Sequence, residues 1–409
     1  MEKLLKSVIS LLILVRVLFL QISTKSASIY LTKDSDHYIV LSKDIEYFFF
    51  NDNLSNYWLS TFRLPGYPIL LNIFSKILEL KNIIYLNLIA DLIVLYLVYK
   101  LLFIYFEKKY CYVGCILFLI NTNVLISSSQ IMTESFSTLF LFSSFYFYKI
   151  KKYLLSSIFI SLLSIFKPLG VYLIVLYIIL IIFEERKLTT KIIKISFIPI
   201  CVIFSIYLNN FVQYETSFYS TSSYFHLQWL NEASESICKN GDFNNPIVSE
   251  PGYVFENWLQ ENELTTTSNS KILINKLKDD SSGQILDNFH CKAYSMVRSS
   301  VWNMFGIRRA NWIGVGFNSI TLNFIIYFSL IYVVIINSIF IISIYKSLKN
   351  KRINSYLIFT LFYILIISTL PFGNSRTRVL IEPLLIVIFI DSIKNVISNR
   401  LNKSNSSAS

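Results

Sequence analysis

Residues Ile83–Phe106 read IIYLNLIADLIVLYLVYKLLFIYF, an almost unbroken apolar run. About 20 such residues are enough for one helix to cross a bilayer. Similar runs recur along the 409 residues, so that 54% of the chain is hydrophobic and only 15% is charged. Ordinary globular chains are roughly 25% charged. The composition excludes a soluble enzyme, a disordered chain and a protein held by a single span, and it predicts a polytopic membrane protein.

Ten apolar runs predict about ten transmembrane helices and therefore an all-α membrane fold. A further stretch, Pro65–Leu80, is shorter, has two prolines near its start and contains Lys76 and Glu79. Its length alone leaves open whether it crosses the bilayer. The ten runs are Ser7–Ile22, Ile83–Phe106, Tyr110–Ser128, Ile131–Tyr148, Tyr153–Phe166, Leu169–Phe183, Ile192–Phe211, Ile320–Tyr345, Ile353–Leu370 and Val379–Ile393.

The basic residues decide between these topologies. The formal net charge is +12, and many of the Lys and Arg residues lie in six short segments between or beside the runs. Basic residues are retained on the cytoplasmic side of a membrane. All six segments lie on that one side only if Pro65–Leu80 does not cross the bilayer. We therefore predict that Pro65–Leu80 is a juxtamembrane helix on the outer face. The basic start of the chain also fits a signal peptide cleaved near Ser26–Ser28, although we favour an uncleaved first helix.

This topology divides the chain into four regions. Residues 1–211 form the membrane core, with a first external loop at 23–82 that includes the juxtamembrane helix 65–80. Residues 212–319 form a polar external loop domain, 320–393 the C-terminal transmembrane helices, and 394–409 a cytoplasmic tail. Cys238 and Cys291 lie in the external domain, where a disulfide and two free thiols are equal alternatives. The three histidines are scattered, so the sequence predicts no metal centre, and it contains no nucleotide-binding loop.

The unusual polar residues all fall on the external side of this topology. They supply carboxylates and fixed cations, a combination that suits a base acting beside a bound anion. Each also has a structural interpretation, as a solvated loop residue, a first-turn residue of a helix or a headgroup anchor. Asp91, inside the second run, is interpreted as an interhelical hydrogen-bonding residue. The candidates are Asp34, Asp36 and Glu134 as catalytic carboxylates, and Tyr38, Arg63, Tyr67, Lys167, Arg376 and Arg378 as substrate-binding residues.

The order of these motifs resembles the GT-C superfamily of integral-membrane glycosyltransferases, and in style its family 39. That group includes protein O-mannosyltransferases and the aminoarabinose transferases that modify lipid A. The resemblance covers residues 1–185 well, whereas the rest of the chain matches only in the layout of its segments. Its specificity lies in the order of the motifs and in their common position on one side of the membrane. They are Asp34-x-x-x-Tyr38, Arg63-x-Pro-Gly-Tyr67-Pro, Thr133-Glu134 opening a helix, and Arg376-x-Arg378 before the last span.

The resemblance implies a polyprenyl-phosphate-linked sugar as donor and a glycan, lipid or protein as acceptor. The active site would face the outside of a cell membrane, such as a bacterial inner or plasma membrane. The resemblance places the general base at Asp34, with Asp36 as the alternative, a second acidic position at Glu134 and a basic residue at Arg63. It leaves open whether a divalent metal assists. Because topology explains the positive charge, we expect no nucleic-acid partner.

Two other function classes fit a ten-span protein with external basic residues. A polysaccharide polymerase or ligase also uses lipid-linked glycans, but an acidic loop directly after the first helix favours a transferase. A transporter of lipid-linked glycans would show two similar halves with broken helices at the bilayer midplane. The sequence shows no such pair of halves. We therefore predict a glycosyltransferase.

Overall fold

The computed structural model describes residues 1–43, 45, 61–184, 189–240, 270–283, 288–305, 319–350, 354–367 and 378–406. Within these ranges every regular element is a helix, as predicted for an all-α protein. Two 3₁₀ segments, Leu80–Ile83 and Val379–Ile381, lead directly into the α-helices that follow them.

The α-helices of the described ranges are numbered in chain order. They are α1 (Glu2–Ser23), α2 (Ala27–Tyr30), α3 (Lys33–Lys43), α4 (Gly66–Ser75), α5 (Ile84–Tyr105), α6 (Lys108–Ile120), α7 (Thr122–Ser128), α8 (Glu134–Lys149), α9 (Tyr153–Phe166), α10 (Leu169–Glu184), α11 (Thr189–Tyr214), α12 (Ser222–Asn240), α13 (Ser270–Gly283), α14 (Phe289–Phe305), α15 (Ser319–Lys349), α16 (Ser355–Ile367) and α17 (Glu382–Ser406).

Among the described residues, four helical segments are long and apolar enough to cross a membrane, and they lie in α1, in α5 with its 3₁₀ lead, in α11 and in α15. A fifth candidate is the pair α6 and α7, if these two helices, bent by 57°, form one span. Helices α9, α10 and α16 are apolar but shorter. Large apolar side chains such as Leu11 and Phe204 are exposed on these helices, as on a surface that faces lipid. The chain is a helical membrane protein.

The predicted apolar runs coincide with helices, with two main differences. The run Tyr110–Ser128 is divided at Asn121, whose side-chain oxygen accepts a hydrogen bond from the amide of Val124 and so caps α7. The stretch Pro65–Leu80 contains only the ten-residue helix α4, which is shorter than predicted. A helix of this length is too short for a span.

Helix α8 lies at the centre of the membrane core. It packs against α5 and α9, and α9 packs in turn against α11. The Ser156 hydroxyl donates to the carbonyl of Ser144 at 2.8 Å, and the hydroxyls of Ser144 and Tyr177 are 2.7 Å apart. Small residues of this kind let helix backbones approach closely in apolar surroundings. The Ser156–Ser144 bond joins the start of α9 to the second half of α8.

Three helices, α12, α13 and α14, are described in the polar segment between α11 and α15. Helix α12 packs against both of the others. A disulfide joins Cys238, near the end of α12, to Cys291, in the first turn of α14, with the Cα atoms 6.0 Å apart. Of the two alternatives that the sequence left open for these cysteines, the structure has the disulfide.

Candidate functional site

The first part of the candidate site is an ion pair between Asp34 and Arg63. Asp34 lies in the first turn of α3, and Arg63 lies just before α4, which packs against α3. Arg63 Nη2 is 2.5 Å from Asp34 Oδ1 and 3.2 Å from His37 Nδ1. Arg63 Nη1 donates to the Tyr38 hydroxyl at 3.4 Å. The side chains of Asp34 and Arg63 are 26% and 15% exposed, so both are within reach of a ligand.

The start of α3 is fixed against the turn that precedes α8. The Ser35 hydroxyl donates to the Ile131 carbonyl at 2.8 Å, and the Ile131 amide donates to the Tyr30 carbonyl at 2.9 Å. These bonds join the first polar loop to a turn about a hundred residues later in the chain. They bring the Asp34 region to the start of α8, where the second predicted carboxylate lies.

The second part of the site is an ion pair between Glu134 and Lys167. Glu134 opens α8 and Lys167 follows the last residue of α9, and these are the helix ends that favour an acidic and a basic residue respectively. Lys167 Nζ is 3.1 Å from Glu134 Oε1. Glu134 is fully buried, whereas the Lys167 side chain is 20% exposed. The carboxylate therefore holds the ammonium from the interior side.

Tyr67 connects the two ion pairs. Its ring makes an edge contact with Tyr38, with centroids 5.1 Å apart, and another with Phe166, at 6.2 Å. Burial, with a smaller contribution from the charge of Glu134, raises the pKa of Tyr67 well above its ordinary value. Below, the two-acid cluster means Asp34, Tyr38, Arg63, Tyr67, Glu134 and Lys167.

Gly66 permits the close approach of α4 to the end of α9. A Cβ added there would lie 2.4 Å from the Phe166 ring and 2.7 Å from the Ile165 carbonyl oxygen. The carbonyl belongs to the backbone of a packed helix and cannot turn aside. A glycine is therefore required at this position if Tyr67 is to reach the Lys167 end of α9.

Residues 219–221, which we call the strap, connect the start of the polar segment to the residues beside both ion pairs of the cluster. The Thr221 amide donates to the Thr61 carbonyl at 3.0 Å, and the Ser220 hydroxyl donates to the Phe62 carbonyl at 3.0 Å. The Tyr219 hydroxyl donates to the Ser164 carbonyl at 2.6 Å. The strap thus holds the residues before Arg63 and those before Lys167 together.

Two predicted site residues lie apart from this arrangement. Asp36 is exposed, on a neighbouring position of α3. Arg378 is fully buried, and its guanidinium donates to Glu382 Oε1 at 2.6 Å and to the Met304 carbonyl. Arg376 lies outside the described residues. The structure therefore brings six of the nine predicted residues together.

A buried polar network that the sequence analysis missed surrounds Arg16. The Arg16 guanidinium pairs with Asp91 at 3.3 Å and donates to the carbonyls of Phe118, Leu119 and Asn121 at 3.0 to 3.3 Å. Ser128 donates to the same Asp91 carboxylate, which is the interhelical bond expected for Asp91. The sequence feature that indicates this network is a lone arginine within an apolar run, since a charge at membrane depth is costly and needs partners.

The chemistry available in the two-acid cluster is that of carboxylates held by cations. His37, beside Arg63, stays neutral more readily than usual, because burial and then the Arg63 charge lower its pKa. Among the described residues, the structure shows one group of three potential metal-ligating side chains: Cys238, His290 and Cys291. None of the three belongs to the cluster.

Comparison of the chain with family models, with curated proteins and with solved structures found no match.

Proposed function

We propose that this protein is a membrane-embedded glycosyltransferase of the GT-C type. It would transfer a sugar from polyprenyl phosphate to a glycan, lipid or protein acceptor. The observation that carries the proposal is the two-acid cluster, in which two carboxylate–cation pairs meet around one buried tyrosine. Such a site offers both a proton acceptor for the attacking hydroxyl and cations for the departing phosphate.

Asp34 is the carboxylate best suited to act as the base. Its side chain is partly exposed, whereas that of Glu134 is fully buried, so of the two carboxylates in the cluster an acceptor hydroxyl can reach Asp34. A donor phosphate would compete with Asp34 for the Arg63 guanidinium, which binds both anions through charge-assisted hydrogen bonds. Donor binding would then release Asp34 to take the proton, while Arg63 stabilises the phosphate as it leaves.

The remaining charged residues have supporting roles in this proposal. Glu134 is a positioning residue that holds the Lys167 ammonium toward the site. Lys167 and Arg376 contribute further positive charge for the donor phosphate. Arg378 is engaged with Glu382 in the interior, which supports a structural role for it rather than the substrate-binding role expected from the sequence.

The proposal includes a sided topology. The chain would cross the membrane about ten times, with residues 65–80 on the outer surface and 212–319 external, and the cluster would face outward in a bacterial inner or plasma membrane. The distribution of basic residues supports this arrangement. A Lys109→Cys variant, on a Cys201→Ser background, should not react with a membrane-impermeant thiol reagent added to intact cells. Labelling from outside would reject the topology.

Substitution of the two neighbouring aspartates tests the activity. Mass spectrometry of cell-envelope glycans, with and without the gene, identifies the sugar for an assay with purified protein and a polyprenyl-phosphate donor. Asp34→Asn keeps the shape but removes the proton acceptor, so transfer should fall by about 10²–10⁴-fold. Donor binding should stay the same or tighten, because Arg63 loses a competing anion.

Asp36→Asn is the matched control, since Asp36 lies two residues after Asp34 on the same helix and is exposed. It should transfer nearly as well as the wild type. If Asp36→Asn abolishes transfer and Asp34→Asn does not, the base is Asp36. If neither change affects transfer, the glycosyltransferase proposal loses its main support.

A transporter of lipid-linked glycans is the second candidate, because α6 and α7 form a helix pair bent by 57°. Broken helices form the substrate sites of many transporters, usually in corresponding pairs from two halves. The described residues contain one such bent pair. Movement of a lipid-linked glycan across vesicles without any change in its sugar would favour the transporter over the transferase.

A further inference from the structure

We infer that Cys238, His290 and Cys291 form a binding site for a soft divalent cation of the zinc class, which opens when the disulfide is reduced. Cys238 lies near the end of α12, and His290 and Cys291 lie in the first turn of α14. The ligand atoms of all three side chains lie within 4.8 Å of one another. The inference concerns the polar segment and does not depend on the proposed glycosyltransferase activity.

The geometry of the three side chains fits one tetrahedral ion. Zn²⁺ binds thiolate sulfur at about 2.3 Å and imidazole nitrogen at about 2.0–2.1 Å, which places two neighbouring ligands roughly 3.5 Å apart. The distance from Cys238 Sγ to His290 Nε2 is 3.5 Å. The two sulfur atoms have to separate, because they are bonded to each other in the oxidised protein.

The local backbone supports this arrangement. The amides of Cys291 and Lys292 both donate to the Asn288 carbonyl, at 2.9 and 3.0 Å, so the first turn of α14 is formed where the ligands lie. The start of a helix favours negative charge, including that of a thiolate. Cys291 is buried and His290 is exposed, so the site has a solvent side through which an ion can enter.

Opening of the site is a two-electron reduction followed by metal binding. Two molecules of a thiol reductant reduce the Cys238–Cys291 disulfide to two thiols and are themselves joined in a disulfide. Zn²⁺ then binds the two sulfurs and the imidazole, and the two thiol protons pass to solvent. Three protein ligands leave the fourth position to water. The ion would thus replace the disulfide as the link between α12 and α14.

Metal titration of the two redox states tests the inference. Full-length protein in detergent, with any affinity tag removed, is prepared in the oxidised form and in a form reduced with dithiothreitol and desalted under nitrogen. Titration with Co²⁺, followed by displacement with Zn²⁺, reports tetrahedral thiolate coordination. We expect one ion per chain in the reduced protein and none in the oxidised protein.

Variants separate this site from other thiols. Cys238→Ser and Cys291→Ser should abolish binding. His290→Gln should weaken it at least tenfold, since loss even of an outer partner of a metal ligand costs about 10–100-fold. Cys201→Ser is the control, because Cys201 is a free, exposed cysteine on α11, and it should bind as the wild type does.

Three outcomes would overturn the inference. The first is that the reduced wild type binds no ion, in which case Cys238 and Cys291 form a disulfide only. The second is equal binding by the oxidised and reduced proteins, which would place the ion elsewhere. The third is unchanged affinity in His290→Gln, which would leave two thiols without the third ligand.

Discussion

The two-acid cluster and the Arg16 network are both built from carboxylate–cation pairs, but they differ in access to solvent. The Asp34 and Arg63 side chains are 26% and 15% exposed, whereas those of Arg16 and Asp91 are each 2% exposed. The Arg16 guanidinium uses its hydrogen bonds to satisfy the carbonyls at the end of α6. A fully buried pair of this kind holds helices together, whereas a partly exposed pair is accessible to a ligand, as the proposed function requires.

The largest loss of stability should come from breaking the buried pair of Arg16 and Asp91. Arg16→Met removes the cation and leaves the Asp91 charge buried without its partner, which should destabilise the protein by about 3–5 kcal/mol. Adding Asp91→Leu should restore much of that stability, because the uncompensated charge is then gone. Thermal unfolding in detergent measures both variants.

Arg63→Met is the matched control in the accessible pair. Because the Asp34 and Arg63 side chains are partly exposed, their pair should contribute less to stability than the buried Arg16–Asp91 pair, so the midpoint of unfolding should move less while the proposed transfer is lost. Equal losses of stability in Arg16→Met and Arg63→Met would contradict the distinction between the two regions.

A smaller effect should follow from separating the two halves of the cluster. Gly66→Ala forces a methyl group against the Ile165 carbonyl oxygen, and overpacking of this kind costs about 1–3 kcal/mol. Because α4 then moves away from α9, transfer should fall more than stability does. Unfolding and turnover are measured on the same preparation.

Gly114→Ala provides the comparison for this change. Its added carbon would meet Leu102 Cδ1, the end of a flexible side chain that can turn aside. It should cost less stability than Gly66→Ala and leave transfer intact. A loss of transfer in Gly114→Ala that matches the one in Gly66→Ala would argue against a specific role for the α4–α9 contact.

The smallest effect concerns pH. Burial, and then the Arg63 charge, lower the pKa of His37 in the folded protein below its ordinary value of 6.5. As the pH falls below about 6.5, the unfolded chain takes up a proton that the folded protein does not, so stability falls with pH until the folded pKa is reached. His37→Gln should flatten this slope in unfolding midpoints measured across that range.

The sequence predicted most of the helices because long apolar runs in a membrane protein have few alternatives to helix. It also predicted which polar residues of the first 170 meet, since Asp34, Arg63, Glu134 and Lys167 occupy the ends of helices that the topology places on one side. It could not predict that each cation would pair with a carboxylate, because such pairing depends on how α3, α4, α8 and α9 pack. The glycosyltransferase activity itself stays a prediction.

The errors have physical causes. Arg16 was overlooked because a hydropathy average over a run hides one charge whose partners lie elsewhere in the chain. The polar loop before Arg378 favours a surface position for this cation, yet Arg378 pairs in the interior with Glu382, one helical turn later.

The buried Arg16 pair also bears on the order in which the chain is assembled during synthesis. Arg16 enters the membrane with α1, but its carboxylate partner lies 75 residues later and the first of its carbonyl partners 102 residues later. Until α5 and α6 have emerged from the ribosome, α1 carries a charge that is costly at membrane depth. Entry of α1 into the bilayer together with α5 and α6, rather than ahead of them, would avoid that cost.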